Sequence, residues 1–121
     1  MAKKILVVDD SRTVRLEVRA ALAPAGYEIV EAADGIEGSR RITGSTDLAM
    51  IICDVNMPNM NGIEMLTAVR GQTRPILMMT TEGSAKLIRE AQQAGATAWI
   101  VKPFKPEQLL SAVGRLAGAA N

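Results

Sequence analysis

Histidine is absent from this 121-residue sequence, and cysteine occurs once, at position 53. Zinc and copper sites are built largely from these two residue types, so the sequence argues against either metal. A lone cysteine also excludes a disulfide within the chain, which is typical of proteins in a reducing compartment. Aromatic residues are equally scarce: Tyr27, Trp99 and Phe104 are the whole set, whereas proteins that stack nucleobases usually carry more.

Charge and hydropathy restrict the possible partners further. The formal net charge is +1 at pH 7, so no overall field attracts nucleic acid or an anionic membrane surface. The apolar run at residues 5–8 is too short for the core of a signal peptide, and no stretch approaches the roughly 20 apolar residues of a membrane span. We therefore expect a cytoplasmic protein that binds neither nucleic acid nor membranes.

Length and composition indicate one globular domain. Hydrophobic residues make up 48% of the chain and charged residues 22%, which is ordinary for a protein with a buried core. The sequence contains no linker or low-complexity tract, so residues 1–121 are expected to fold as a single domain. The last residues, 117–121, are expected to fray.

Apolar runs alternate with helical patterns along the chain. Five runs are predicted to be strands, at residues 5–8, 27–30, 49–53, 76–79 and 98–101. Apolar residues at helical spacing predict five helices, at residues 14–22, 35–42, 63–70, 84–94 and 106–116. Five strand–helix units indicate an α/β protein in which helices cover both faces of a parallel sheet.

Residues with reactive or ionisable side chains end four of the five predicted strands. They are Asp9, Asp10, Asp54, Thr80 and Lys102. A polar residue at a single strand end is common and carries little information. The carboxyl ends of parallel strands, however, share one edge of the sheet, where ligands bind. We therefore expect these five side chains to form one pocket.

The predicted pocket has the composition of a phosphoryl-transfer site. Carboxylates held close together repel each other, and Mg²⁺ with its preference for oxygen ligands relieves this repulsion. Lys102 adds a second positive charge, Thr80 adds a hydroxyl donor, and a carboxylate can itself act as the nucleophile. The sequence contains neither a Walker A motif nor a G-x-G-x-x-G motif after its first strand, so neither type of phosphate loop is expected.

Four segments resemble the response-regulator receiver family: ILVVDDSRT (5–13), DVNMPNMNG (54–62), MMTTE (78–82) and WIVKPF (99–104). They occur in the order of the family's motifs and extend over the whole chain. The nearest resemblance is to single-domain chemotaxis regulators of the CheY type. It implies a doubly wound, flavodoxin-like receiver fold, with five helices around a five-stranded parallel sheet of order 2-1-3-4-5.

This resemblance implies a role for each acidic residue of the pocket. Asp54 matches the phosphoacceptor of the family. Asp10 and Asp54 match carboxylates that bind Mg²⁺, and Asp9 acts on the metal largely through water. The backbone carbonyl of Asn56 contributes a further metal ligand.

The remaining pocket residues are assigned in the same way. Thr80 and Lys102 would each contact a phosphoryl oxygen, and the Lys102–Pro103 peptide bond would be cis. Trp99 occupies the position of the family's switch aromatic, where tyrosine or phenylalanine is usual. Packing in the core is the alternative role for this side chain.

The resemblance further implies a two-component response regulator that is phosphorylated on Asp54 by a histidine kinase. The phosphorylated protein, expected to be a monomer, would bind a downstream protein through its fourth helix, fifth strand and fifth helix, most simply in chemotaxis. No enzymatic activity beyond its own phosphorylation and dephosphorylation is implied. A phosphorelay intermediate and a phosphate sink are alternative outputs.

Two other classes of protein remain open. A phosphatase that forms an aspartyl phosphate usually has a second acidic residue two positions after the nucleophile, where this chain has Asn56, and also a cap insertion, which this sequence lacks. A constitutive interaction module that has lost phosphorylation would not need the pocket, whose residues are all present.

Three arginines, Arg12, Arg15 and Arg19, share one face of the first predicted helix. A solvated face is the simplest interpretation of this spacing. The alternative is that Arg12 and Arg15 belong to a docking surface for the kinase or for a phosphatase.

Overall fold

Strands and helices alternate in the computed structural model, which describes residues 2–121. Within these residues the strands are β1 (Lys4–Val8), β2 (Glu28–Ala32), β3 (Leu48–Asp54), β4 (Ile76–Thr80) and β5 (Ala98–Val101). The helices are α1 (Arg12–Leu22), α2 (Gly35–Gly44), α3 (Gly62–Ala68), α4 (Ala85–Gln93) and α5 (Pro106–Ala117), and a short 3₁₀ helix, Ala23–Ala25, follows α1. None of these helices has the length and hydropathy to cross a bilayer.

The strands form a parallel sheet in the order β2-β1-β3-β4-β5. The predicted doubly wound fold is therefore confirmed. The chain adds β2 on one side of β1 and β3 on the other, so the strand order reverses between β1 and β3. The cleft outside the carboxyl ends of these two strands is the usual ligand site of an open α/β sheet.

Alternate strand residues point to opposite faces of the sheet and build two hydrophobic layers. One layer packs residues such as Leu6, Ile51 and Met78 against α2, α3 and α4. The other packs residues such as Ile5 and Leu77 against α1 and α5. Because both faces of the sheet are covered, β1, β3 and β4 have the continuous apolar sequences from which they were predicted.

Polar residues cap four helices at their first turn. The side chains of Ser11, Asp34, Asn61 and Ser84 each accept a hydrogen bond from the backbone N–H three residues further along. These caps satisfy donors that a helix leaves unpaired at its start. They fix the start of α1 shortly after β1 and the start of α3 just beyond the loop that follows Asp54.

The last residues of the chain pack against the fold, so the expectation of a frayed end is wrong. The Tyr27 hydroxyl donates a hydrogen bond of 2.6 Å to the Gly118 carbonyl. The Lys3 backbone N–H donates one of 2.8 Å to the Ala120 carbonyl, and Ala120 is only 7% exposed. Both donors are distant along the chain, 91 positions away in the case of Tyr27, which explains why local sequence did not reveal them.

Replacement of Tyr27 by phenylalanine tests this attachment. We expect the free energy of unfolding to fall by about 1 kcal/mol, because the Gly118 carbonyl loses its donor while the aromatic ring stays packed. Urea denaturation monitored by circular dichroism measures the change. An unchanged unfolding midpoint would mean that water replaces the hydroxyl at no cost.

Candidate functional site

Three carboxylates meet at the carboxyl ends of β1 and β3. Asp9 and Asp10 follow β1, and Asp54 is the last residue of β3. One oxygen from each lies within 4.8 Å of the others. Asp9 is fully buried, Asp54 is 5% exposed and Asp10 is open to solvent. The sheet thus gathers the predicted acidic residues into one cluster with a single accessible side.

Lys102 reaches this cluster from the far side of β4. Its Nζ lies 2.8 Å from Oδ2 of Asp9 and 3.1 Å from Oδ1 of Asp54, and its side chain is 14% exposed. The backbone N–H of Lys102 donates a hydrogen bond of 2.7 Å to the Thr80 carbonyl. The Lys102–Pro103 peptide bond is cis. One ammonium therefore bridges two of the three carboxylates.

The charges in this cluster perturb one another. Burial, and then the negative charge of Asp9, raise the pKa of Asp54 above its ordinary value, although Lys102 acts in the opposite direction. Burial alone would lower the pKa of Lys102, but the hydrogen bond with Asp9 and the charge of Asp54 outweigh it, so this pKa is raised. Lys102 therefore stays protonated, and the carboxylates of the cluster outnumber this one neighbouring cation.

This donor set fits a hard divalent cation. Carboxylate oxygens are ligands that Mg²⁺ prefers, and the ion retains several of its waters, which the open side at Asp10 can accommodate. A divalent charge also balances the excess of carboxylates over lysine. Asn56 is exposed two residues beyond Asp54, in the loop between β3 and α3, close along the chain to the cluster.

Thr80 and Trp99 lie on the neighbouring strands β4 and β5. Thr80 is buried at the end of β4, and its hydroxyl accepts a hydrogen bond of 3.1 Å from the Glu82 N–H. Trp99, in β5, is partly buried and packs against the hydrophobic layer beneath α2, α3 and α4. Its indole Nε1 is buried without a hydrogen-bond partner among residues 2–121. The indole therefore contributes to the core while its N–H remains unpaired.

Cys53 precedes Asp54 inside β3. Its side chain is fully buried, and burial, followed by the charges of Asp54 and Asp9, raises the pKa of its thiol. A protonated, inaccessible thiol is a poor nucleophile and a poor metal ligand. The residue thus behaves as a small hydrophobic side chain.

Sequence reasoning missed the contacts that hold Asp9 in place. Its Oδ1 accepts a hydrogen bond of 2.8 Å from the Ser11 N–H, and its carbonyl accepts one of 2.6 Å from Nη1 of Arg15. Arg15 also pairs with Glu31 and its side chain is only 15% exposed, so the prediction of a solvated face is wrong for this residue. Spacing within α1 could not reveal these contacts, because Glu31 and Asp9 lie outside that helix.

A second missed feature is the close approach of α3 to the backbone at Asp54. Gly62, the first residue of α3, donates its N–H to the Val55 carbonyl at 2.9 Å. A Cβ atom at position 62 would lie 2.2 Å from the Asp54 carbonyl oxygen. In the sequence Gly62 indicated only a loop, whereas in the structure it allows a helix to begin against the cluster.

Comparisons with known proteins agree with this fold. Residues 5–114 match the family described as response regulator receiver domain. The chain is 41% identical over 111 residues to chemotaxis protein CheY1 of Helicobacter pylori, covering 88% of this chain and 90% of the relative. The structure of Vibrio cholerae chemotaxis protein CheY4 superposes with a TM-score of 0.89 at 45% identity, covering 96% of this chain and 99% of the other.

A third comparison concerns the metal. The receiver domain of a Pseudomonas aeruginosa sensor histidine kinase, described with a magnesium ion coordinated in its active site cleft, superposes with a TM-score of 0.86 at 26% identity. The alignment covers 98% of this chain and 100% of the other. With the family match over nearly the whole chain, these similarities show that the protein belongs to the response regulator receiver domain family.

Proposed function

We propose that this protein accepts a phosphoryl group on Asp54 in a Mg²⁺-dependent reaction and thereby changes the surface that it offers to a downstream protein. The observation that carries the proposal is the bridge from Lys102 to Asp9 and Asp54 inside a cluster of three carboxylates. This arrangement combines a buried nucleophile, a fixed positive charge and oxygen ligands for a metal. Positioning and charge neutralisation of this kind account for most of the catalysis of phosphoryl transfer.

Asp54 is the best placed of the three carboxylates to act as the nucleophile. Both oxygens of Asp9 are engaged, one by the Ser11 N–H and the other by Lys102. Asp10 is exposed, so water solvates it and no neighbouring group excludes solvent from its carboxylate. Asp54 is 5% exposed at the end of the central strand and contacts Lys102 through Oδ1. Desolvation of this carboxylate strengthens its interaction with an incoming electrophile.

The phosphodonor proposed here is the phosphohistidine of a sensor histidine kinase. An oxygen of Asp54 attacks phosphorus, the bond from phosphorus to the donor nitrogen breaks, and that nitrogen keeps the electron pair. Lys102 stabilises the negative charge that develops on the phosphoryl oxygens. Asp10, Asp54 and the Asn56 carbonyl would hold Mg²⁺, with Asp9 acting largely through water, and the ion would supply additional positive charge. Apart from its own phosphorylation and dephosphorylation, we propose no enzymatic activity.

Phosphorylation would act on the face formed by α4, β5 and α5. In the structure the Thr80 hydroxyl accepts a hydrogen bond from the Glu82 N–H. On phosphorylation this hydroxyl would turn toward a phosphoryl oxygen. The space that it vacates would lie beside β5, the strand that pairs with β4 and contains Trp99. A group that binds one conformation more tightly shifts the population toward it. A groove of about 420 Å³ between β5 and α5 supports a docking role for this face; its lining includes Ile100, Glu107 and Arg115.

The proposed output is chemotaxis-type signalling by a single receiver domain, residues 1–121, acting as a monomer on another protein. Relatives named as chemotaxis proteins support this output, and the chain covers 90% of one and 99% of the other. The alternatives, a phosphorelay intermediate or a phosphate sink, would use the same acceptor. They differ only in what receives the signal.

Phosphorylation by a small donor tests the proposal without a kinase. We expect acetyl phosphate to add one phosphoryl group to the wild-type protein in the presence of Mg²⁺, measured by intact-mass spectrometry, and expect the Asp54→Asn variant to remain unmodified. Asp47→Asn is the matched control, because Asp47 is exposed and directly precedes the first residue of β3, whereas Asp54 is the last residue of that strand. Fluorescence of Trp99 in the same samples reports whether β5 responds.

Each result has a defined meaning. Modification of Asp54→Asn would assign the acceptor to another residue. A wild-type protein that gains no mass with Mg²⁺ would instead indicate a constitutive interaction module. A mass increase without a change in fluorescence would retain phosphorylation and remove Trp99 as part of the switch.

A further inference from the structure

Arg15 connects the acidic cluster to the neighbouring strand β2. Its Nη1 donates a hydrogen bond of 2.6 Å to the Asp9 carbonyl, and its Nε donates one of 2.8 Å to Oε1 of Glu31. We infer that Arg15 is a positioning residue for the metal-binding carboxylates, so that the affinity of the site for Mg²⁺ depends on this guanidinium although it does not contact the metal. The inference rests on the proposed function, because it assumes that the cluster binds Mg²⁺.

The contacts of Asp9 explain how Arg15 can act on the metal ligands. The Asp9 N–H donates a hydrogen bond of 3.1 Å to the Ala32 carbonyl, and its Oδ1 accepts one from the Ser11 N–H. The contact from Arg15 to the Asp9 carbonyl fixes the peptide plane between Asp9 and Asp10. Without that contact the plane can rotate, which moves the exposed carboxylate of Asp10 relative to Asp54. The distance between these carboxylates sets how well both bind one small ion.

Glu31 offsets the positive charge of Arg15, which lies close to the proposed metal site. Its Oε2 accepts a hydrogen bond of 2.6 Å from Nη2 of Arg19, while Oε1 accepts from Arg15. The hydrogen bond from Arg19, together with the one from Arg15, holds the pKa of Glu31 below its ordinary value despite partial burial. Glu31 is therefore ionised at neutral pH and offsets much of the positive charge of Arg15. What Arg15 presents to Asp9 is chiefly a directed hydrogen bond.

Positioning and simple electrostatics predict changes of opposite sign when Arg15 is removed. If its charge merely repelled the metal, a neutral residue would bind Mg²⁺ more tightly. If it positions the Asp9–Asp10 turn, the same residue would bind Mg²⁺ more weakly. Loss of a hydrogen-bonding partner that orients metal ligands typically lowers metal affinity by about 10- to 100-fold.

The experiment compares Arg15→Met with Arg19→Met. Both changes keep an unbranched side chain in α1 and remove a partner of Glu31, but Arg19 bonds the Ile29 carbonyl rather than that of Asp9. Calorimetric titration with MgCl₂ alone measures the dissociation constant of each protein. We expect an increase on the order of 10-fold for Arg15→Met and little change for Arg19→Met.

Several outcomes would overturn the inference. The inference fails if Arg15→Met binds Mg²⁺ as tightly as the wild-type protein or more tightly. If Arg15→Met and Arg19→Met weaken Mg²⁺ binding equally, the effect comes from the loss of an ion pair with Glu31 and not from the contact with Asp9. If Arg15→Met does not fold, Arg15→Lys retains the charge without the planar donor fork, and wild-type affinity in that variant would contradict the inferred dependence on the guanidinium. A wild-type protein that binds no Mg²⁺ overturns the proposed metal site as well, which separates the two failures.

Discussion

Gly62→Ala is expected to lower the free energy of unfolding by about 3 kcal/mol, the upper end of the usual cost of overpacking. A Cβ atom at this position would lie 2.2 Å from the Asp54 carbonyl oxygen, which is far closer than two such atoms can approach. The obstacle is backbone, so no change of rotamer relieves it. Either the start of α3 or the end of β3 must move, and the second movement displaces the proposed acceptor.

Helix propensity alone predicts the opposite sign for this substitution, because alanine is the better helix former. Gly114→Ala is the matched control: position 114 lies inside α5, and a Cβ atom there would meet nothing within 4 Å. That variant should gain about 1 kcal/mol. Urea denaturation of both proteins provides the comparison, and a Gly62→Ala protein as stable as the wild type would refute the close approach.

Lys102→Met is expected to lower the free energy of unfolding of the metal-free protein by about 3 kcal/mol, because removal of one partner leaves buried charges uncompensated. Lys102 is the cation within 2.8 Å of Asp9 and 3.1 Å of Asp54, and both carboxylates are almost inaccessible to water. Methionine retains most of the volume of the lysine stem, so the loss reports charge rather than a cavity.

A double-mutant cycle with Asp54→Asn separates the charge effect from packing. Burial and the charge of Asp9 already disfavour ionised Asp54 in the folded state, so Asp54→Asn alone should stabilise the metal-free protein. In the Lys102→Met background, Asp54→Asn should stabilise the protein by a larger amount than in the wild-type background. The reason is that the substitution removes a buried carboxylate that has lost its cation. Additivity of the two substitutions would show that Lys102 and Asp54 do not interact.

The dependence of stability on Mg²⁺ provides an independent test of whether Lys102 compensates the charge of the buried carboxylates. If the cluster binds Mg²⁺, the metal restores positive charge, and thermal unfolding of Lys102→Met should depend on Mg²⁺ more strongly than that of the wild type. Phosphorylation by acetyl phosphate should nevertheless remain slow, because the metal cannot replace Lys102 at the phosphoryl oxygens. A stability that does not respond to Mg²⁺ in either protein would argue against the metal site.

The sequence alone determined the layout of this protein. Continuous apolar runs such as 5–8 and 49–53 could be recognised as buried parallel strands, because the covered faces of a parallel sheet leave no alternation. The positions of Asp9, Asp54 and Lys102 directly after strands then predicted one shared pocket, because all parallel strands end at the same edge. The family match over residues 5–114 bears out the resemblance that these motifs carried.

The tertiary structure alone decided which side chains touch. Lys102 bonds Asp9 across 93 positions of sequence, Arg15 turns inward to the Asp9 carbonyl, and Gly62 lies against the backbone of Asp54. Hydrophobic periodicity reports how one element is covered, but it carries no information on the distance between two elements or on which neighbour faces a polar group. Those distances are set by how helices pack on the sheet, and so the contacts that tune the site appeared only once the chain was folded.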